Sequence, residues 1–211
     1  MIALVCFAVI FNTVLAKRLP MIEGLVLILH LAGFFGVLIP LWVLAPRNPA
    51  EVVFTQFQNL GGWSSQGVSF MVGMLTTVYG LLGADSAIHM AEEIRDAGLV
   101  LPRATMWSIL MNGGFGWIMM ITFAFTAGDP LNILDSPTGY PFVQAFFNAT
   151  RSRAGTSVMV AIMIVNTTSS VISTLATVSR QLWSFGRDRG IPFSNFVAYV
   201  SLAADADEDY H

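Results

Sequence analysis

Four predominantly apolar stretches, each long enough to cross a bilayer, dominate this chain: residues 20–45, 68–91, 104–127 and 155–179, with a shorter fifth at residues 1–16. A hydrocarbon core about 30 Å thick is spanned by roughly 20 apolar residues in a helix. Inside lipid the backbone has no water to bond, so each stretch must satisfy its own N–H and C=O groups by folding as a helix. The expectation is an all-α, polytopic membrane protein with about five transmembrane helices. Composition agrees, because hydrophobic residues make up 55% of 211 and charged residues only 11%. That leaves too little polar surface to cover a soluble domain.

Charge excludes some partners. The net charge is −3, and four of the thirteen acidic residues fall in the last seven positions. Neither a nucleic acid nor an anionic surface is an expected partner; the lipid bilayer is. Residues 201–211 read as an acidic disordered tail. The single cysteine, Cys6, excludes an intrachain disulfide.

Orientation follows from the ten basic residues. With residues 1–16 as a real span, Lys17, Arg18, Arg95, Arg103, Arg180, Arg187 and Arg189 share one side, and Arg47, Arg151 and Arg153 the other. Seven against three makes the first side cytoplasmic. A cleaved signal peptide is the competing reading of residues 1–16, since Val14, Leu15 and Ala16 resemble a cleavage site. It lacks a basic residue before the apolar run and would invert the charge balance.

The third stretch, VSFMVGMLTTVYGLLGADSAIHMA, carries an aspartate that lipid would not tolerate. An intramembrane carboxylate costs several kcal/mol against lipid and so faces a protein interior or a watery cavity. Gly73, Gly80 and Gly83 interrupt the same stretch, and glycine weakens a helix. Unwinding at residues 79–83 would free backbone groups, which is tolerable at membrane depth only beside a cavity. Close helix packing is the competing use of these glycines. Asp85 is therefore a candidate proton acceptor or counter-ion for an amine.

Other polar groups suggest further sites. In the last stretch Asn166, Ser170, Ser173 and Thr177 recur at helical spacing and share one face. That face lines a cavity or a helix contact, unless its hydroxyls only bond their own preceding turn. His30 is a titratable group within the second stretch and a candidate proton relay. His89 and Glu92 are three apart and could reach one metal, but His30 and His211 are the only other histidines. A zinc enzyme normally uses three protein ligands, so no metal and no cofactor is expected.

The run GADSAIHMAEEIRDAGLVLPRA resembles the sixth transmembrane helix and following loop of amino-acid/polyamine/organocation permeases, closest to the fungal amino acid/choline transporter family, which includes γ-aminobutyrate (GABA) permeases. NTVLAKRLPMIEGLVLILHLAGFFGVLIPLWVLAP, VFTQFQNLGGWSSQG and SRQLWSFGRDRGIPFSN resemble the same family at helix five, the loop after it and the end of helix eight. The resemblance covers residues 12–199 and implies spans four to eight of the LeuT-like inverted-repeat transporter fold. It also implies that the unwound part of helix six contacts substrate. That part corresponds here to Tyr79, Gly80, Leu81, Leu82, Gly83 and Ala84, with Tyr79 as a gating aromatic and Asp85 beside the site. His30 lies near a lysine of proton-coupled relatives.

The expected function is that of a secondary transporter fragment for amino acids, GABA or choline, working by alternating access without covalent chemistry. The expected substrate-binding residues are Tyr79 to Asp85 with Asn166 and Ser170; Asp85 and His30 are the candidates for coupling to H+. Relatives contain helices before and after the matched region, so the chain alone is not expected to transport. A non-transporting partner of other permease chains is the second reading, and a membrane metalloenzyme the third. The plasma membrane is the expected location, with the vacuolar membrane as alternative.

Overall fold

The computed structural model describes residues 2–83 and 86–198, with the side chains of Tyr79, Met90, Glu92 and Glu93 left aside. Its described elements are helical throughout: α1 (Ile2–Val14), α2 (Leu19–Leu44), α3 (Ala50–Thr55), α4 (Gln66–Tyr79), α5 (Ala97–Thr126), α6 (Pro130–Leu134), α7 (Pro141–Thr150), α8 (Arg153–Arg187) and α9 (Ser194–Val197). Tighter 3-10 turns occupy Ala16–Arg18 and Ile88–Glu93.

Helices α2, α5 and α8 are each long and apolar enough to cross a membrane, whereas α1 and α4 are shorter apolar helices. The third apolar stretch is divided. Its helix stops at Tyr79, residues 80–83 turn, and Gly83 takes a φ of +88°, a conformation that side chains rarely adopt. Two glycines four residues or fewer from a helix end explain the break: each costs helix stability, and Gly83 alone permits the left-handed turn.

Starts and stops follow local chemistry. Ser65 accepts a hydrogen bond from the Val68 N–H at 3.2 Å, and Ser152 caps α8 through the Gly155 N–H at 3.2 Å. Pro130 and Pro141 open α6 and α7 in the first turn, where a missing N–H costs nothing. Arg151 leaves α7 in the left-handed conformation, φ 49°, and turns the chain into α8.

Helix α8 is the centre of the molecule, packing against α1, α2, α7 and α9. Val37 and Leu41 of α2, Phe146 and Ala149 of α7 and Met159 of α8 form one buried cluster. Ala8, Leu19, Ile172 and Ala176 join α1 and α2 to α8 in a second. The stretch PFVQAFF belongs to α7, whose buried Ala145 and Phe146 hold it against the bundle. Outward faces remain apolar: Leu25, Ile28, Val43, Trp107 and Leu110 are exposed, as lipid-facing positions of spanning helices are.

Polar contacts tie the spans where water is absent. The Trp42 indole N–H donates to Thr122 Oγ1 at 2.8 Å between α2 and α5, and Thr122 donates to the Ile118 carbonyl at 2.7 Å. The Asn12 amide donates to the Ile172 carbonyl at 3.0 Å between α1 and α8.

Candidate functional site

The broken helix borders a cleft of about 430 Å3 walled by Gly80, Leu81, Leu82 and Gly83 on one side, by His30 and Phe34 of α2 on another, and by Ser108, Asn112 and Phe115 of α5. The 80–83 turn places backbone groups there instead of a helical ladder. Among the described residues, the Gly80 N–H donates to the Thr76 carbonyl at 3.3 Å and the Leu81 N–H to the Val78 carbonyl at 3.1 Å. The helical ladder stops at Tyr79, and because a carbonyl oxygen carries two lone pairs, the end of α4 keeps acceptor capacity toward the cleft even with the Thr76 and Val78 carbonyls bonded.

The aromatic wall is built by α2 and α5 together. Phe34 and Phe115 stack at 4.5 Å between centroids with their planes 26° apart. Asn112 donates to the Ser108 carbonyl at 2.9 Å and to Ser108 Oγ at 3.2 Å, which commits the NH2 of its amide and leaves Oδ1 as an acceptor. Such a wall offers ring faces and oxygen acceptors, both of which suit a cationic nitrogen.

His30 and Phe34 also line a second cleft of about 340 Å3 between α2, α7 and α8, together with Phe142, Phe146, Asn166 and Thr167. His30 thus stands in the wall between the two. Asn166 Oδ1 is buried there with no hydrogen-bond partner among the described residues. An unpaired buried acceptor costs about 1–3 kcal/mol. The α2–α8 contact that positions it needs a glycine: a Cβ on Gly33 would lie 2.5 Å from Ile162 Cγ2 and 3.5 Å from the Asn166 amide nitrogen.

The structure therefore brings Gly80, Leu81, Leu82, Gly83 and His30 around one cleft and places Asn166 in the adjoining one. Ser170 is exposed and lines neither. Ala84, Asp85 and the side chain of Tyr79 lie outside the described residues. The hydroxyl stripe of α8 splits in use: Thr177 bonds the Ser173 carbonyl at 3.1 Å within its own helix, whereas Ser173 also reaches Glu23 Oε1 of α2 at 2.7 Å. Among the described residues no three His, Cys, Asp or Glu side chains come together in a way that could hold a metal ion.

Sequence reasoning missed Ser108 and Asn112, although an amide and a hydroxyl four apart inside residues 104–127 are the same signal that drew attention to residues 166–177. It also missed Glu23, a carboxylate inside the apolar residues 20–45. Asp85 drew attention as an acid inside an apolar stretch that three glycines interrupt; Glu23 stands near the start of its stretch with Gly24 alone beside it.

The family described as amino acid permease matches the chain over residues 1–204. A Macrophomina phaseolina protein whose name reads amino acid/polyamine transporter is 30% identical over 93% of this chain and 44% of its own length. The choline transporter of Saccharomyces cerevisiae is 28% identical over 92% of this chain and 35% of its own. The GABA-specific permease of the same yeast is 28% identical over 72% of this chain and 27% of its own. The chain spans less than half the length of the curated relatives it matches. No solved structure matches it. By the extent of the family match, the chain belongs to the amino acid permease family, and its apolar helices make it a multi-pass membrane protein.

Proposed function

We propose that these helices form part of a secondary transporter for small solutes carrying a cationic nitrogen, such as amino acids, GABA or choline, and that it works by alternating access around the broken helix. The observation that carries the reading is the break itself: α4 stops at Tyr79 and its freed end borders a cleft shared with aromatic and oxygen-bearing side chains. Discontinuous helices at cleft depth are how transporters present backbone groups to solute. The names of the three relatives support the solute class.

In this reading the carbonyls at the end of α4 and Asn112 Oδ1 accept from the ammonium group. Phe34 and Phe115 offer ring faces to a quaternary nitrogen such as that of choline. His30, in the wall of both clefts, is the residue placed to pass a proton between them, and Asp85 remains the second coupling candidate by its position in the sequence. The side bearing Lys17, Arg18 and Arg187 faces the cytoplasm, by charge balance.

Uptake of labelled choline, GABA and alanine tests this, with the protein expressed from its complete gene in a permease-deficient cell. Gly83→Val puts a branched side chain at a φ of +88°, so uptake is expected to fall about tenfold or more while surface expression holds. Unchanged uptake by that variant would remove the break from the mechanism. Absence of uptake of all three solutes by the unaltered protein would refute the solute class.

A further inference from the structure

A third cleft, of about 710 Å3, lies nearer the basic end of the bundle. Its lining includes Glu23 of α2, Thr105 and Ser108 of α5, Ser173 and Arg180 of α8, and Gly83 of the broken helix. Gly83 and Ser108 also line the cleft at the break, so the two spaces meet at those residues.

Glu23 is the informative group. A carboxylate five residues into a spanning helix could turn outward toward the basic residues at its end. Instead its Oε1 accepts from Ser173 Oγ at 2.7 Å, across the α2–α8 contact. Ser173 stands seven residues before Arg180, about 10 Å further from the basic end along α8. Among the described residues Glu23 makes no ion pair. Nearby, Thr105 Oγ1 is buried with no hydrogen-bond partner among the described residues. A carboxylate bonded to one hydroxyl has acceptor capacity to spare, and a buried unpaired hydroxyl on the facing helix is a second acceptor in the same space.

We propose that Glu23, held by Ser173, is an inner subsite for the cationic nitrogen of the transported solute, between the cleft at the helix break and the cytoplasmic side. The proposal rests on the transport reading above and adds a second station to it. A cation leaving the break passes Gly83 and Ser108 and meets a negative charge before it meets Arg180. The Glu23 carboxylate lowers the free energy of the ammonium in the inner cleft, and the neighbouring arginine keeps the cation from being trapped at the exit. The subsite acts on one face of the membrane only.

That sidedness is the test. The protein from its complete gene is purified and placed in proteoliposomes, and half-saturating concentrations of labelled choline, GABA and alanine are measured from each face. Glu23→Gln is expected to raise the cytoplasmic value about tenfold, from loss of a charge-assisted contact, and to change the outer value by less than about twofold. Glu23→Asp should recover part of the loss. Ser173→Ala, which frees the carboxylate without removing it, should shift the same face by a smaller factor, so a misfolding Glu23→Gln protein does not end the test. Equal shifts on both faces, or none in any variant, overturn the inner subsite while leaving the transport reading intact. Failure of the unaltered protein to bind any of the three probes overturns both.

Discussion

Gly33 is where a single missing methyl group matters most to this bundle. The Ile162 side chain of α8 lies so close to the α2 backbone there that a Cβ would overlap its Cγ2. Gly33→Ala is expected to cost about 1–3 kcal/mol through overpacking, read as a lowered unfolding temperature in detergent. Adding Ile162→Ala removes the clashing atom, and the double variant should regain part of the loss. An unshifted single variant would mean the helices part freely. Gly33 could not be singled out in the sequence, because the chain holds 18 glycines and only the facing side chain distinguishes one from another. Gly83 was legible for the opposite reason: it clusters with Gly80 inside an apolar run beside an acid, and the cause acts within a few residues.

Helix α5 shows how an element is fixed at its end. The Asn48 backbone N–H donates to the Phe125 carbonyl at 2.8 Å, and its side-chain amide donates to Ala124 at 3.1 Å and Gly128 at 3.3 Å. These bonds satisfy carbonyls that the end of a helix leaves without partners. Asn48→Ala keeps the backbone bond and loses the other two, so the last turn of α5 is expected to open more readily, by about 1–2 kcal/mol. Hydrogen exchange in residues 123–128 measures it, and protection equal to that of the unaltered protein would contradict the role. The apolar runs told of α2, α5 and α8 in advance because hydropathy over 20 residues is a property of the segment itself. Helix α3 and the Asn48 clamp depend on contacts between residues some eighty positions apart, which no local pattern records.

Across the whole molecule, α8 holds α1, α2 and α7 together, while every described side chain of α4 is exposed or half-buried. The helix that ends at the break is thus the one held least by the rest of these residues. That difference follows from length: α8 runs for 35 residues and so meets several neighbours, whereas α4 ends after 14 at the break. Membrane class and the site of unwinding were readable from hydropathy and glycine placement, whereas of the five expected spans only α2, α5 and α8 are long enough to cross among the described residues. The cleft was not, because its far wall comes from α2 and α5, and its shape depends on how three helices cross. The direct test of the broken helix as a solute site is chemical protection. With Cys6 and every other cysteine of the complete protein replaced by serine, Leu82→Cys is treated with a membrane-impermeant, thiol-directed reagent in the presence and absence of choline, GABA or alanine. The account predicts labelling that slows by about tenfold when a transported solute is present. Labelling at the same rate with and without every solute that the protein carries would contradict it.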